Sequence, residues 1–63
     1  MYYIPIKYKD IQLNDKVACI CKHYGNVQTG TVTYIGKYGL TITDSTGPRG
    51  ILFHEFDFNK ELI

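Results

Sequence analysis

Cys19, Cys21 and His23 are the residues of this chain whose types and spacing come nearest to chemistry. Thiolates and imidazole are zinc ligands, and a Cys–His pair is a nucleophile with its base. The spacing works against both. Along an extended strand at ~3.3 Å per residue, His23 lies ~13 Å from Cys19. Zinc ligands converge to ~2.0–2.3 Å from one ion. A fourth ligand would have to come from His54 or an acid, so no metal site is expected. A Cys–His nucleophile also needs a cleft, an orienting group and an oxyanion hole. A chain of 63 residues leaves little room for these, so no enzyme is expected. Cys19 and Cys21 would lie ~6.6 Å apart on one face of a strand. That is near the upper limit for a disulfide, and the bridge would close almost no loop. Two reduced thiols acting as small apolar residues are expected instead. Gly36 and Gly39 flank Lys37-Tyr38, but the spacing and the absence of a following helical pattern do not make a phosphate loop. No cofactor is expected.

What remains is binding. His23-Tyr24, Lys37-Tyr38 and Arg49 place a cation beside an aromatic or a glycine in three separate turns. Such pairs suit protein hot spots and single-stranded nucleic acid alike. Tyr2, Tyr3 and Tyr8 form a second aromatic group. On an edge strand they make a surface able to pair with a partner or with a second copy of the chain, so a homodimer is expected.

These residues must be held by short strands, because runs of β-formers alternate with Gly-containing turns along the sequence. Tyr2–Tyr8 carries Pro5, which has no N–H, and so belongs at an edge or is broken there. In Leu13-Asn14-Asp15-Lys16-Val17, Asn14 and Asp15 predict a tight turn, Asn being tolerant of left-handed backbone. Lys16–Lys22 is apolar on both faces, which predicts burial on two sides. Gln28–Ile35 has Val32 and Ile35 out of phase for one face, which predicts a bulge or a strong bend between them. Leu40–Thr43 alternates cleanly, with Leu40 and Ile42 inward. Asp44–Gly50 reads as a hairpin loop and Gly50–His54 as the fifth strand. Glu55–Phe58 predicts a short 3-10 turn that drops Phe56 onto the open end of a barrel. The tail, Asn59–Ile63, ends in Leu62 and Ile63, which favours packing or pairing over fraying. The expected core is Val17, Val32, Ile35, Leu40, Ile42, Leu52 and Phe56.

Composition sets the bounds. The length fits one domain spanning residues 1–63, and a chain this short buries only ~60% of its unfolded surface. Hydrophobic residues make up 44%, which disfavours disorder. Seven Lys/Arg against six Asp/Glu give a net charge of +1, too little for a strong field over the whole surface. No segment approaches the ~20 apolar residues of a membrane-spanning helix. Met-Tyr-Tyr-Ile-Pro-Ile-Lys lacks a charged region followed by an apolar one, so a signal peptide is not expected and a cytoplasmic location is.

Taken together, Leu13-Asn14-Asp15-Lys16-Val17, Gly30-Thr31-Val32-Thr33-Tyr34-Ile35, Asp44-Ser45-Thr46-Gly47 and Glu55-Phe56 resemble the small Src-homology-3-like (SH3-like) barrels, including KOW-type and Tudor-type modules. Asn14 stands where those modules usually have glycine. The resemblance covers roughly residues 13–58 and implies an all-β, five-stranded antiparallel barrel with the 3-10 closing turn. The length and the Tyr-, Ile-, Lys- and Asn-rich composition are similar to small proteins of bacteriophages and mobile elements.

The expected function is protein binding, as an inhibitor or adaptor acting in the host cytoplasm on a bacterial host or defence protein. The alternative, implied by the KOW resemblance, is RNA or DNA binding through the loop cations. The residues expected to carry either are His23, Tyr24, Lys37, Tyr38 and Arg49.

Overall fold

The computed structural model describes residues 2–62. Six strands follow one another: β1 (Tyr2–Ile6), β2 (Lys16–Cys21), β3 (Val27–Ile35), β4 (Gly39–Asp44), β5 (Gly47–Leu52) and β6 (Phe56–Leu62). They form one antiparallel sheet in the order β1-β6-β2-β3-β4-β5. The sheet has six strands rather than the expected five, and it is not closed into a barrel: β1 and β5 are its two edges. It is strongly bent all the same. Six strands laid flat would make a layer only ~10 Å thick, whereas the shortest extent of the molecule is 21 Å. Bending lets one apolar face cover itself.

The sixth strand is the tail. β6 lies between β1 and β2, pairing Ile4 with Lys60 on one side and Cys19 with Phe58 on the other. The expectation that this tail pairs holds through Leu62, and Ile63 lies outside the described residues. Because residues 56–58 are already strand, the 3-10 turn expected there is absent. Residues 53–55 form a turn instead, and the 3-10 helix of the fold is Tyr8–Asp10, just after β1. β1 accordingly ends at Ile6, short of Tyr8. Both prolines sit on edge strands, Pro5 in β1 and Pro48 in β5, where a missing N–H need not break a ladder.

The core consists of Ile11, Val17, Cys19, Val32, Leu40, Ile42, Ile51 and Phe58, with Ile6, Phe53 and Phe56 packed against it. Val17, Val32, Leu40 and Ile42 are where the sequence put them. β2, with neighbours on both sides, buries Val17, Ala18 and Cys19 in succession, as its two apolar faces predicted. Three expectations need correction. Leu52 is exposed and Ile51 is buried in its place, because the two-residue Ser45-Thr46 turn sets Ile51 opposite Leu40. Ile35, also opposite Leu40, lies at the strand end and is exposed. Phe56 is only half-buried, while Phe58, opposite Cys19, fills the core.

Two local devices fix the bends. The register of β3 against β4 shifts between Val32 and Tyr34, making Thr33 the extra residue of the expected bulge. Asn14 adopts φ 73°, the left-handed backbone its residue type favours. The Asn14 N–H donates to the Val32 carbonyl at 2.8 Å, and the Val32 N–H donates to the Asp15 carbonyl at 2.9 Å, stapling this turn to the bulged strand. Gly39 is required by proximity, since a Cβ there would overlap the Ile51 carbonyl oxygen.

Candidate functional site

An open groove of about 650 Å³ lies at one end of the sheet's segments. Four separate segments build it. The end of β1 and the 3-10 helix bring Ile6, Lys7, Tyr8 and Lys9. Lys22 follows β2, and Lys37-Tyr38 form the β3–β4 turn. The β5–β6 turn and the start of β6 supply Phe53, His54, Phe56, Asp57 and Phe58. The turns are tied together by backbone: the Phe53 N–H donates to the Tyr38 carbonyl at 2.9 Å, and the Lys22 N–H to the Glu55 carbonyl at 3.0 Å.

The floor is aromatic. Tyr8 stacks on Phe53 with ring centroids 4.5 Å apart and planes at 22°, and Phe53 meets the edge of Phe58 at 5.9 Å. Tyr38 stands at the rim, 69% exposed, with the Lys37 ammonium 5.4 Å from its ring centroid. Lys7, Lys9, Lys22 and Lys37 line the groove, and Asp57 is its one lining acid among the described residues. Asp57 lies 4.0 Å from Lys22, with both side chains largely exposed, so the pair is weak.

The residues expected to act together are split by the structure. Lys37 and Tyr38 belong to the groove. His23 and Tyr24 occupy the β2–β3 turn, their ring centroids 6.4 Å apart, outside the groove lining. Arg49 is in β5, where it donates to Thr46 Oγ1 at 2.9 Å and to Gln28 Oε1 at 3.4 Å. It helps to brace the β4–β5 hairpin, in which Thr46, through its hydroxyl and then its backbone N–H, holds the Asp44 carboxyl below its ordinary pKa, with Arg49 adding a smaller attraction. Tyr2 and Tyr3 lie on the edge strand β1. Tyr8 does not, because it has moved from the expected strand into the groove floor. Sequence reasoning missed Lys7, Lys9, Lys22 and Phe53. One signal was present: Lys7-Tyr8-Lys9 repeats the cation–aromatic pairing of Lys37-Tyr38.

The thiols are placed for packing. Both cysteines are free. Cys19 is fully buried, and burial pushes its thiol up to about 11 from an ordinary 9.0. A nucleophilic or metal-binding cysteine needs the opposite shift. Cys21 is half-buried beside it on β2. Among the described residues, no three His, Cys, Asp or Glu side chains cluster as a metal site would require, and no helix is long and apolar enough to cross a membrane. Compared with protein-family models, curated proteins and solved structures, the chain finds no match.

Proposed function

We propose that the chain is a small non-enzymatic binding module that grips a partner protein in the Tyr8–Tyr38–Phe53 groove. The observation that carries this reading is the union of an aromatic floor with an exposed tyrosine at its rim. Rigid aromatic side chains supply large contact area at low entropic cost and commonly anchor protein interfaces. An SH3-like build is compatible with the strand order: β2, β3, β4 and β5 form a consecutive meander, and β6 returns to the free side of β2. A module with this build and no enzymatic chemistry acts by occupying a partner. That fits an inhibitor or adaptor, here of a bacterial host or defence protein met in the host cytoplasm.

Capture of partners from bacterial lysate, with and without nuclease, tests the reading. A protein retained after nuclease by the wild type and lost by Tyr38→Ala supports it. Retention that disappears with nuclease favours the second reading, single-stranded nucleic acid. That alternative draws on one specific feature, the four groove lysines among seven Lys/Arg in the chain.

A further inference from the structure

The near-neutral total charge conceals a division of the surface. Of the seven Lys/Arg, four line one groove, against one of the six acids, an excess of three positive charges in its lining. Of the three cations elsewhere, Lys60 is 3.4 Å from Asp15 and Arg49 is held at Thr46 within the field of Asp44, while Lys16 makes no ion pair among the described residues. Two of the three cations outside the groove thus lie beside acids, against one of the four within it. Resting on the protein-binding reading above, we propose that the groove takes an acidic, extended polypeptide segment of the partner, with an aromatic or apolar side chain seated on Tyr8 and Phe53 and its carboxylates facing Lys7, Lys9, Lys22 and Lys37.

Three observations favour carboxylates on a polypeptide over a phosphate strand. The groove cations are all lysines, and the chain's single arginine, the residue whose planar fork matches phosphate and stacks on bases, is engaged elsewhere. A single strand wants successive open ring faces. Here one face of Tyr8 is already covered by Phe53, which leaves Tyr38 and the exposed His54 as the groove's open rings. Asp57 stands on the rim beside Lys22, where a continuous phosphate backbone would meet repulsion but a spaced pattern of carboxylates can pass it.

The test is an amide NMR titration of the isotope-labelled full chain with three polymers: a glutamate-rich copolymer of glutamate and tyrosine, a lysine-rich copolymer of lysine and tyrosine, and an oligothymidylate. The expected result is saturable shifts at Lys22, Tyr38 and Phe53 with the acidic copolymer, none with the basic one, and binding of the oligothymidylate about tenfold weaker or less. A Lys22→Glu/Lys37→Glu variant, both positions exposed, should retain the wild-type spectrum elsewhere and lose about tenfold or more in affinity for the acidic copolymer. Equal binding of both copolymers would overturn the acidic segment while leaving the protein-binding reading standing. Tighter binding of the oligothymidylate would overturn both. No shift with any polymer would overturn the acidic segment, and lysate capture would then decide the broader reading independently.

Discussion

Tyr8 and Phe53 stack face to face at 4.5 Å, joining the segment that leaves β1 to the turn that leaves β5. These are the two edges of the sheet, which share no ladder. The ring pair thus does by side-chain contact what hydrogen bonds do in a closed barrel, and it forms the floor of the groove in the same stroke. Stability and binding are coupled at this point.

That coupling is measurable. Tyr8→Ala and Phe53→Ala should each destabilise the fold by about 1–3 kcal/mol, because both rings are only partly buried. The double variant should show an interaction energy of about 0.5–1.5 kcal/mol. Urea unfolding of the four proteins gives the cycle, and strict additivity would mean that the stack does not bridge the edges.

Phe58 rather than Phe56 is the aromatic keystone of the core. Phe58→Ala should cost about 3–5 kcal/mol, enough to unfold a domain of this size. Phe56→Ala, at a half-buried site, should cost less. Thermal melts of the two variants check the order, and a reversed order would mean that β6 is out of register by two residues.

Cys19 makes stability depend on alkaline pH. Its folded pKa of about 11 lies above the ordinary 9.0, so the folded chain holds the proton more tightly than the unfolded one. Its contribution is full below pH 9 and falls as pH rises toward 11, by about 2–3 kcal/mol in all. Denaturant midpoints for wild type and Cys19→Ala across this window should converge as pH rises. Alkylation at mild alkaline pH should modify Cys21 well before Cys19.

Partner binding should depend more on the ring at the rim than on any one lysine. Tyr38→Ala is expected to cost about 2 kcal/mol or more, and Lys37→Ala less. Salt should weaken binding, because exposed lysines that face carboxylates are screened. A log–log slope of about −0.7 for each of several phosphates, with Lys37→Ala the worse variant, would identify a single strand as the partner instead.

Self-association, expected from Tyr2 and Tyr3 on β1, should be weak, because Pro5 removes one donor from that edge. Light scattering should find masses above one chain only toward high micromolar concentrations, and Pro5→Thr should lower that threshold. A mass of one chain for both proteins at every concentration would exclude β1 as a contact.

The sequence was readable wherever local chemistry decided the outcome. Leu40–Thr43 alternates because one face is buried, Asn14 turns because its side chain tolerates left-handed backbone, and the odd phase of Val32 and Ile35 reports the Thr33 bulge. It was not readable where pairing decided. Whether Ile51 or Leu52 faces inward depends on the two residues that close the β4–β5 hairpin. Neither Glu61 nor Lys60 looks like strand until β1 and β2 flank them. The groove was illegible for the same reason. Its lysines and rings come from four segments that only the bent sheet brings together, and pairing cations with neighbouring aromatics along the chain picked out Lys37-Tyr38 but passed over Lys7-Tyr8-Lys9.

Pro5 and Pro48 have a consequence beyond their own strands. A sheet with two open edges can recruit copies head to tail, each new edge repeating the last, and such growth has no natural end. With a proline in each terminal strand, neither edge offers an uninterrupted row of donors to the next copy. Growth of that kind is thereby disfavoured at both ends of the sheet.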